Sequence, residues 1–156
     1  LHPRNPHVDY ALYLKGIAEY QKIGKPDRDP EHARKAIESL SQLIRQHPGS
    51  EYVPDAYARI RKADQVLAAH NMHVARFYMD REAYLAAANR ARTVLTSHPS
   101  TQSVEPALAL LTRSYTELRL EGLARETLAI LAHNYPDSNF LSRAREAVAD
   151  RFGDSA

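Results

Sequence analysis

Eight histidines are the residues most able to do chemistry in this chain, and two of them stand at a ligand-like spacing. His70 and His73, in "HNMH", are three apart, so on a helix both rings would leave one face. A zinc ion takes three or four ligands, and no third His or carboxylate stands in register with the pair. The pair also falls where one helix is expected to give way to the next. We therefore read no metal site. His47 and His98 each directly precede a proline, in a position that Tyr135 takes in a third, similar stretch, so those rings are read as packing residues. The chain has no Cys, which removes thiolate metal sites, disulfides and a Cys nucleophile. A Gly-rich phosphate loop, H-E-x-x-H and G-x-S-x-G are all missing. The reading is non-enzymatic, with no cofactor.

The nine tyrosines could stack the bases of a single strand, but no Lys/Arg cluster adjoins them. The net charge is only +2 and the charges are interleaved, so a nucleic-acid surface has no support. No run approaches the roughly 18 apolar residues of a membrane span. Arg outnumbers Lys by 16 to 5. Arg suits bidentate pairing with carboxylates at interfaces, and a biased genomic composition accounts for the excess as well. What remains is protein binding. The polar residues that interrupt the apolar segment "REAYLAAANRARTVL" are the candidates: Asn89, Arg90 and Arg92, with Arg81 at the preceding turn.

A repeated helical unit must position these residues. Three turns, "RQHPGSEY", "TSHPSTQS" and "HNYPDSNF", share a ring residue, a proline, a variable residue and then Ser or Thr. Twelve residues before Pro48, Pro99 and Pro136 stand Ala36, Ala87 and Ala124. Eight before stand Leu40, Ala91 and Leu128; five before, Leu43, Val94 and Leu131; four before, Ile44, Leu95 and Ala132. Steps of three and four return to one side of a helix, so these residues form one apolar face. The proline lacks a backbone donor and stops the helix. Ser50, Thr101 and Ser138, two residues later, are expected to cap the next one. Upstream, Leu111, Thr112 and Tyr115, and likewise Val74, Ala75 and Tyr78, give a second face on an antiparallel helix. Each helix pair with its turn takes about 34 residues, the tetratricopeptide period.

The sequence thus predicts an all-α, tetratricopeptide-like superhelix of stacked antiparallel helix pairs, with about eight helices and no strands. The units are expected at about 8–48, 51–101 and 103–138, followed by a capping helix at 138–152, in one repeat domain. Gly16 is the small residue of the first unit, and "IGKPDRDP" is a loop. Pro48 and Pro99 are 51 residues apart, half a period more than one repeat, which fits one additional helix in "EYVPDAYARIRKADQVLAAH". Pro54 sits near its first turn, where Pro is tolerated. The opening "LHPRNPHVDY" lacks Met and reads like the tail of an earlier turn, so further repeats are expected upstream.

Four stretches resemble the BamD (ComL) family of outer-membrane protein assembly factors: "HPRNPHVDYALYLKG", "DRDPEHARKAIESLSQLIRQHPGSEYVPDA", "HNMHVARFYMDREAYLAAANRARTVLTSHPSTQ" and "EPALALLTRSYTELRLEGLARETLAIL". The likeness covers about residues 2–138. "DRDP" followed by "HAR", and "VARFY" leading into "AANR", are its most specific pieces. The resemblance implies the C-terminal three of about five tetratricopeptide units in a lipoprotein on the periplasmic face of the outer membrane. The lipidated Cys and the two units that recognise unfolded outer-membrane proteins would lie upstream. It further implies docking onto the membrane-proximal POTRA domain of BamA, with accessory Bam lipoproteins as further partners. The family's docking arginines match Arg81 and Arg90. The loop at 23–29 is shorter than in well-known members, and the helix at 138–152 extends beyond some of them. A generic periplasmic tetratricopeptide adaptor for other envelope proteins is the alternative.

Overall fold

The computed structural model describes residues 7–154, and among these there are seven helices and no strand. They are α1 (Val8–Tyr20), α2 (Glu31–Gln46), α3 (Val53–Met79), α4 (Tyr84–Ser97), α5 (Val104–Glu117), α6 (Glu121–Asn134) and α7 (Leu141–Phe152). The fold is all-α and tetratricopeptide-like, with neighbouring helices packed in pairs. The chain divides into two compact units, Leu1–His70 and Asn71–Ala156.

In the first unit α1 packs on α2, and the N-terminal part of α3 completes the core. Leu40, Leu43 and Ala56 form one cluster with Leu12, Tyr13, Ile44, Tyr52 and Ile60 around it. Ala33, Ala63 and Leu67 form another, against which Tyr20, Ile23 and Ile37 pack. The segment between α1 and α2 is a loop, as its two prolines predict. Ile23 anchors it in the core, and the His70 Nδ1–H donates to the Pro26 carbonyl oxygen at 2.7 Å.

In the second unit α4 packs on α5, α5 on α6, and α7 on both α5 and α6. Leu108, Leu131 and Leu141 are its buried centre. The Thr112 and Thr127 hydroxyls lie 3.0 Å apart, and each is also within bonding distance of a carbonyl of its own helix, Leu108 and Leu123 at 2.9 Å, so these buried hydroxyls are satisfied within the helix pair. Helix α7 buries Leu141 and Val148 and turns Arg143, Arg145, Glu146 and Asp150 outward.

The residues at repeat offsets −12 and −5 are fully buried in all three copies, while those at −4 are partly buried. Ala36, Ala87 and Ala124 have no exposed surface, and neither do Leu43, Val94 and Leu131. Two expectations need correction. The additional helix and the first helix of the following unit are one continuous helix of 27 residues, α3, which is why there are seven helices rather than eight. Every other junction carries a proline turn or a left-handed residue. Between Asp55 and Met79 there is neither Gly nor Pro, and nothing stops the helix. His70 and His73 therefore lie inside α3, not at a junction.

The second correction concerns Ser50, Thr101 and Ser138, which do not cap the helices that follow. Two turn residues separate each from its helix, so the hydroxyl serves the turn itself. Ser50 Oγ accepts from the Tyr52 N–H at 3.4 Å, Ser138 Oγ accepts from the Phe140 N–H at 3.2 Å, and the Thr101 hydroxyl donates to the His98 carbonyl at 2.8 Å. Such local bonding to nearby backbone is the usual alternative to a cap for these residues.

Candidate partner-docking surface

All four candidate residues lie in the second unit, on the turn from α3 to α4 and on α4 itself. The turn is built from the backbone. The Tyr78 carbonyl accepts from the Arg81 N–H at 3.1 Å and from the Ala83 N–H at 3.0 Å, and Glu82 takes a left-handed conformation with φ 58°. This is the hydrogen-bond pattern of a Schellman-type stop, in which one left-handed residue reverses the chain. It recurs between α5 and α6. There the Tyr115 carbonyl accepts from the Leu120 N–H at 2.9 Å, and Arg119 has φ 59°. Glu82 and Arg119 each lie 17 residues before their turn proline, so the two reversals are equivalent. Arg81 then corresponds to Leu118. The repeat does not need an arginine at this apex.

Arg81 is exposed, and its guanidinium carbon lies 3.5 Å from the centroid of the Phe77 ring. Its Nη1 also donates to the Phe77 carbonyl oxygen at 3.2 Å. One residue thus holds the guanidinium by a face and by an edge. Among the described residues no carboxylate pairs with it.

Helix α4 divides the other three candidates. Ala87, Ala88, Ala91 and Val94 form its buried side. At roughly 100° per residue, Asn89 projects opposite that side, with the exposed Leu85 and then Arg92 leading round to one flank. Arg90 leaves from the other flank. Its Nη1 reaches Asn71 Oδ1 on α3 at 3.4 Å, which ties its head towards the nearly buried Asn71. The four residues therefore do not form one face: Asn89 and Arg92 share a side, while Arg90 is drawn towards α3. The Thr93 and Thr96 hydroxyls donate to the Asn89 and Arg92 carbonyls one turn earlier at 3.1 Å.

Sequence reasoning missed Phe77. It stands four residues before Arg81 on α3, the spacing at which helical side chains meet, and that spacing is the signal that could have found it. At the equivalent place in the next copy stands Ser114, which is fully buried. Phe77 is 47% exposed. An aromatic that the core does not require is thus turned to the surface beside an arginine that the turn does not require.

The first unit holds a second polar cluster with a structural role. Tyr13 donates its hydroxyl to Asp55 Oδ2 at 2.6 Å, and Arg59 Nε donates to the same oxygen at 2.7 Å. The Arg59 guanidinium also lies 5.0 Å from the Tyr20 ring centroid. The Tyr13 hydroxyl, followed by Arg59, holds the Asp55 carboxyl below its ordinary value, and the same bond raises the Tyr13 hydroxyl. These groups satisfy one another and clasp α1 to α3. Among the described residues no group of three or more His, Asp or Glu side chains is arranged to hold a metal ion.

Residues 1–131 match the YfiO family, described as outer membrane lipoprotein. The chain belongs to this family. Its relatives include the outer membrane protein assembly factor BamD of Neisseria gonorrhoeae, 40% identical over 154 residues, which cover 92% of this chain and 58% of that protein. The BamD of Caulobacter vibrioides is 30% identical over 150 residues, covering 96% of this chain and 49% of its own length. That of Pasteurella multocida is 32% identical over 143 residues, covering 85% and 55%. The chain thus spans about half to three fifths of the relatives it matches. YfiO membership agrees with the family that the sequence motifs suggested, and no helix among the described residues is long and apolar enough to cross a membrane.

Proposed function

We propose that this chain is a non-enzymatic scaffold of the β-barrel assembly machinery, which docks the membrane-proximal POTRA domain of BamA. In this reading its repeat units, at about 8–48, 51–101 and 103–138 with the helix at 138–152, belong to one array at the periplasmic face of the outer membrane. The full-length protein is lipid-anchored there. Upstream repeats receive unfolded outer-membrane proteins, and accessory Bam lipoproteins are further partners. Family membership supports the assembly role, through relatives that are named assembly factors. The observation that carries the docking site is Arg81, an exposed guanidinium 3.5 Å over the Phe77 ring with no carboxylate to pair with among the described residues. Arg90, Asn89 and Arg92 extend the contact along α4.

The test is binding of the chain to a purified BamA POTRA fragment by titration calorimetry. Wild type binds. Arg81→Ala and Arg90→Glu weaken binding by about 2–5 kcal/mol if each loses a charge-assisted pair at a desolvated interface. Equal binding by wild type and Arg90→Glu removes Arg90 from the site, and a wild-type chain that does not bind ends the docking reading.

A further inference from the structure

Three observations converge on one side chain. The Phe77 ring lies under the Arg81 guanidinium, with 3.5 Å from the guanidinium carbon to the ring centroid. The Phe77 carbonyl accepts from Arg81 Nη1 at 3.2 Å, and the backbone donors of the turn go elsewhere, to Arg76, Tyr78 and Met79. Phe77 also departs from the repeat, because the next copy has a buried serine in its place.

We infer that Phe77 is the positioning residue for Arg81, holding the guanidinium as a preformed fork for a carboxylate on a partner protein. The inference rests on the docking reading given above. A guanidinium has two faces and two hydrogen-bonding edges, and it stacks on aromatic faces without losing its edge donors. Phe77 occupies one face and, through its carbonyl, one Nη1 hydrogen. The remaining donors make no hydrogen bond among the described residues, and a guanidinium carries them in the planar arrangement that matches a carboxylate bidentately. The last carbonyls of α3 carry the negative end of the helix dipole, which favours the cation at this place. A free arginine would lose rotamer freedom on binding. Here that freedom is already lost in the unbound protein, which is how preorganisation raises affinity. A lysine cannot replace this arrangement, because an ammonium has no plane to stack and no fork to aim.

The same geometry separates positioning from mere packing. Phe77 is half exposed, so Phe77→Leu leaves the core intact. Binding to the BamA POTRA fragment is measured for the wild type, Phe77→Leu and Phe77→Tyr, and for Phe77→Leu in an Arg81→Lys background. At an exposed cation–π contact, Phe77→Leu is expected to weaken binding about 2- to 5-fold, while Phe77→Tyr keeps it. In the Arg81→Lys background the Phe77→Leu change is expected to have no further effect. The free protein gives a second readout that needs no partner, the order of the Arg81 Nε–H by nitrogen relaxation. It is ordered in wild type and in Phe77→Tyr and becomes mobile in Phe77→Leu. Equal weakening in both Arg81 backgrounds overturns the inference, because Phe77 would then act without the arginine. An Nε–H equally mobile in wild type and Phe77→Leu overturns it as well, whatever the binding result. A wild-type chain that fails to bind, with Arg81 still ordered by Phe77, overturns the docking reading instead.

Discussion

Replacing Gly16 by alanine tests how closely α1 and α2 approach. Gly16 is buried on α1, and a Cβ added there would lie 2.5 Å from Leu40 Cδ2 and 2.6 Å from Leu40 Cγ. Carbon atoms prefer about 3.5–4.0 Å, so the shortfall is near 1 Å. Leu40 has no exposed surface and little room to move aside. Two effects oppose each other. Gly→Ala in a helix interior gains about 1 kcal/mol from propensity, and overpacking a buried site costs about 1–3 kcal/mol. The net expectation is a loss of up to about 2 kcal/mol, or about 2–4 °C in melting temperature per kcal/mol lost. Gly122, on α6, supplies the control, because nothing lies within 4 Å of a Cβ there. Gly122→Ala carries the propensity gain without the clash, so the difference between the two variants isolates the steric cost. The next copy shows a relaxed solution: Ala75 stands where Gly16 does, and Ala91 where Leu40 does. Gly16→Ala combined with Leu40→Ala should therefore lose less than the two single changes added together. Urea unfolding followed by far-ultraviolet circular dichroism measures all four variants. If Gly16→Ala is as stabilising as Gly122→Ala, the close approach of α1 to Leu40 is wrong.

Two more outcomes can be checked on the same instrument. Glu82 and Arg119 hold left-handed conformations that favour glycine, so Glu82→Gly and Arg119→Gly should each stabilise by up to about 1 kcal/mol; a loss at both would show that the side chains support the turns. Acid should destabilise the first unit. Asp9 is held below its ordinary 3.8 chiefly by the Ser50 hydroxyl, Glu19 below 4.5 by His32, and Asp55 below 3.8 by the Tyr13 hydroxyl. Carboxyls depressed in the folded state add stability that is complete above their unfolded values and is lost as pH falls through the folded ones. Stability should thus be flat above about pH 5 and fall below about pH 4, less steeply in Asp55→Asn; equal acid slopes for that variant and wild type would remove Asp55 from the account.

The repeat was legible because its signals are local and periodic. Proline stops and apolar offsets of three and four residues marked the faces that pack, and the residues at −12 and −5 from each proline are all buried. What escaped is what a one-dimensional count cannot carry. The extra half-period before Pro99 has the length of a separate helix, yet no breaker separates it from its neighbour and α3 runs on. Ser and Thr favour caps, but at these turns two further residues put the helix out of reach of the hydroxyls. Left-handed conformations at a glutamate and an arginine carry no residue-type signal at all.

The candidate site follows from a different use of the same repeat. Residues that recur at one offset serve the architecture: Ala at −12 lets helices approach, and Tyr at −21 accepts the turn's N–H groups through its carbonyl. Residues that break the recurrence while the backbone stays the same serve something else. At the apex, Arg81 replaces a leucine, and one turn earlier Phe77 replaces a buried serine; both turns keep two equivalent backbone bonds and the same left-handed residue, but the Arg81 N–H bonds the Tyr78 carbonyl where the Leu118 N–H bonds that of Ser114. The two departures touch each other, face and edge, and neither makes an ion pair within the described residues. Arg90 departs less cleanly, because Asn71 already holds part of its head. Each guanidinium has one Nη1 bond already made, Arg90 to the Asn71 side chain at 3.4 Å and Arg81 to the Phe77 carbonyl at 3.2 Å, but only Arg81 also lies over an aromatic ring. The two arginines should therefore contribute unequally to docking, Arg81 from a guanidinium already set over a ring and Arg90 from one held only by its bond to Asn71.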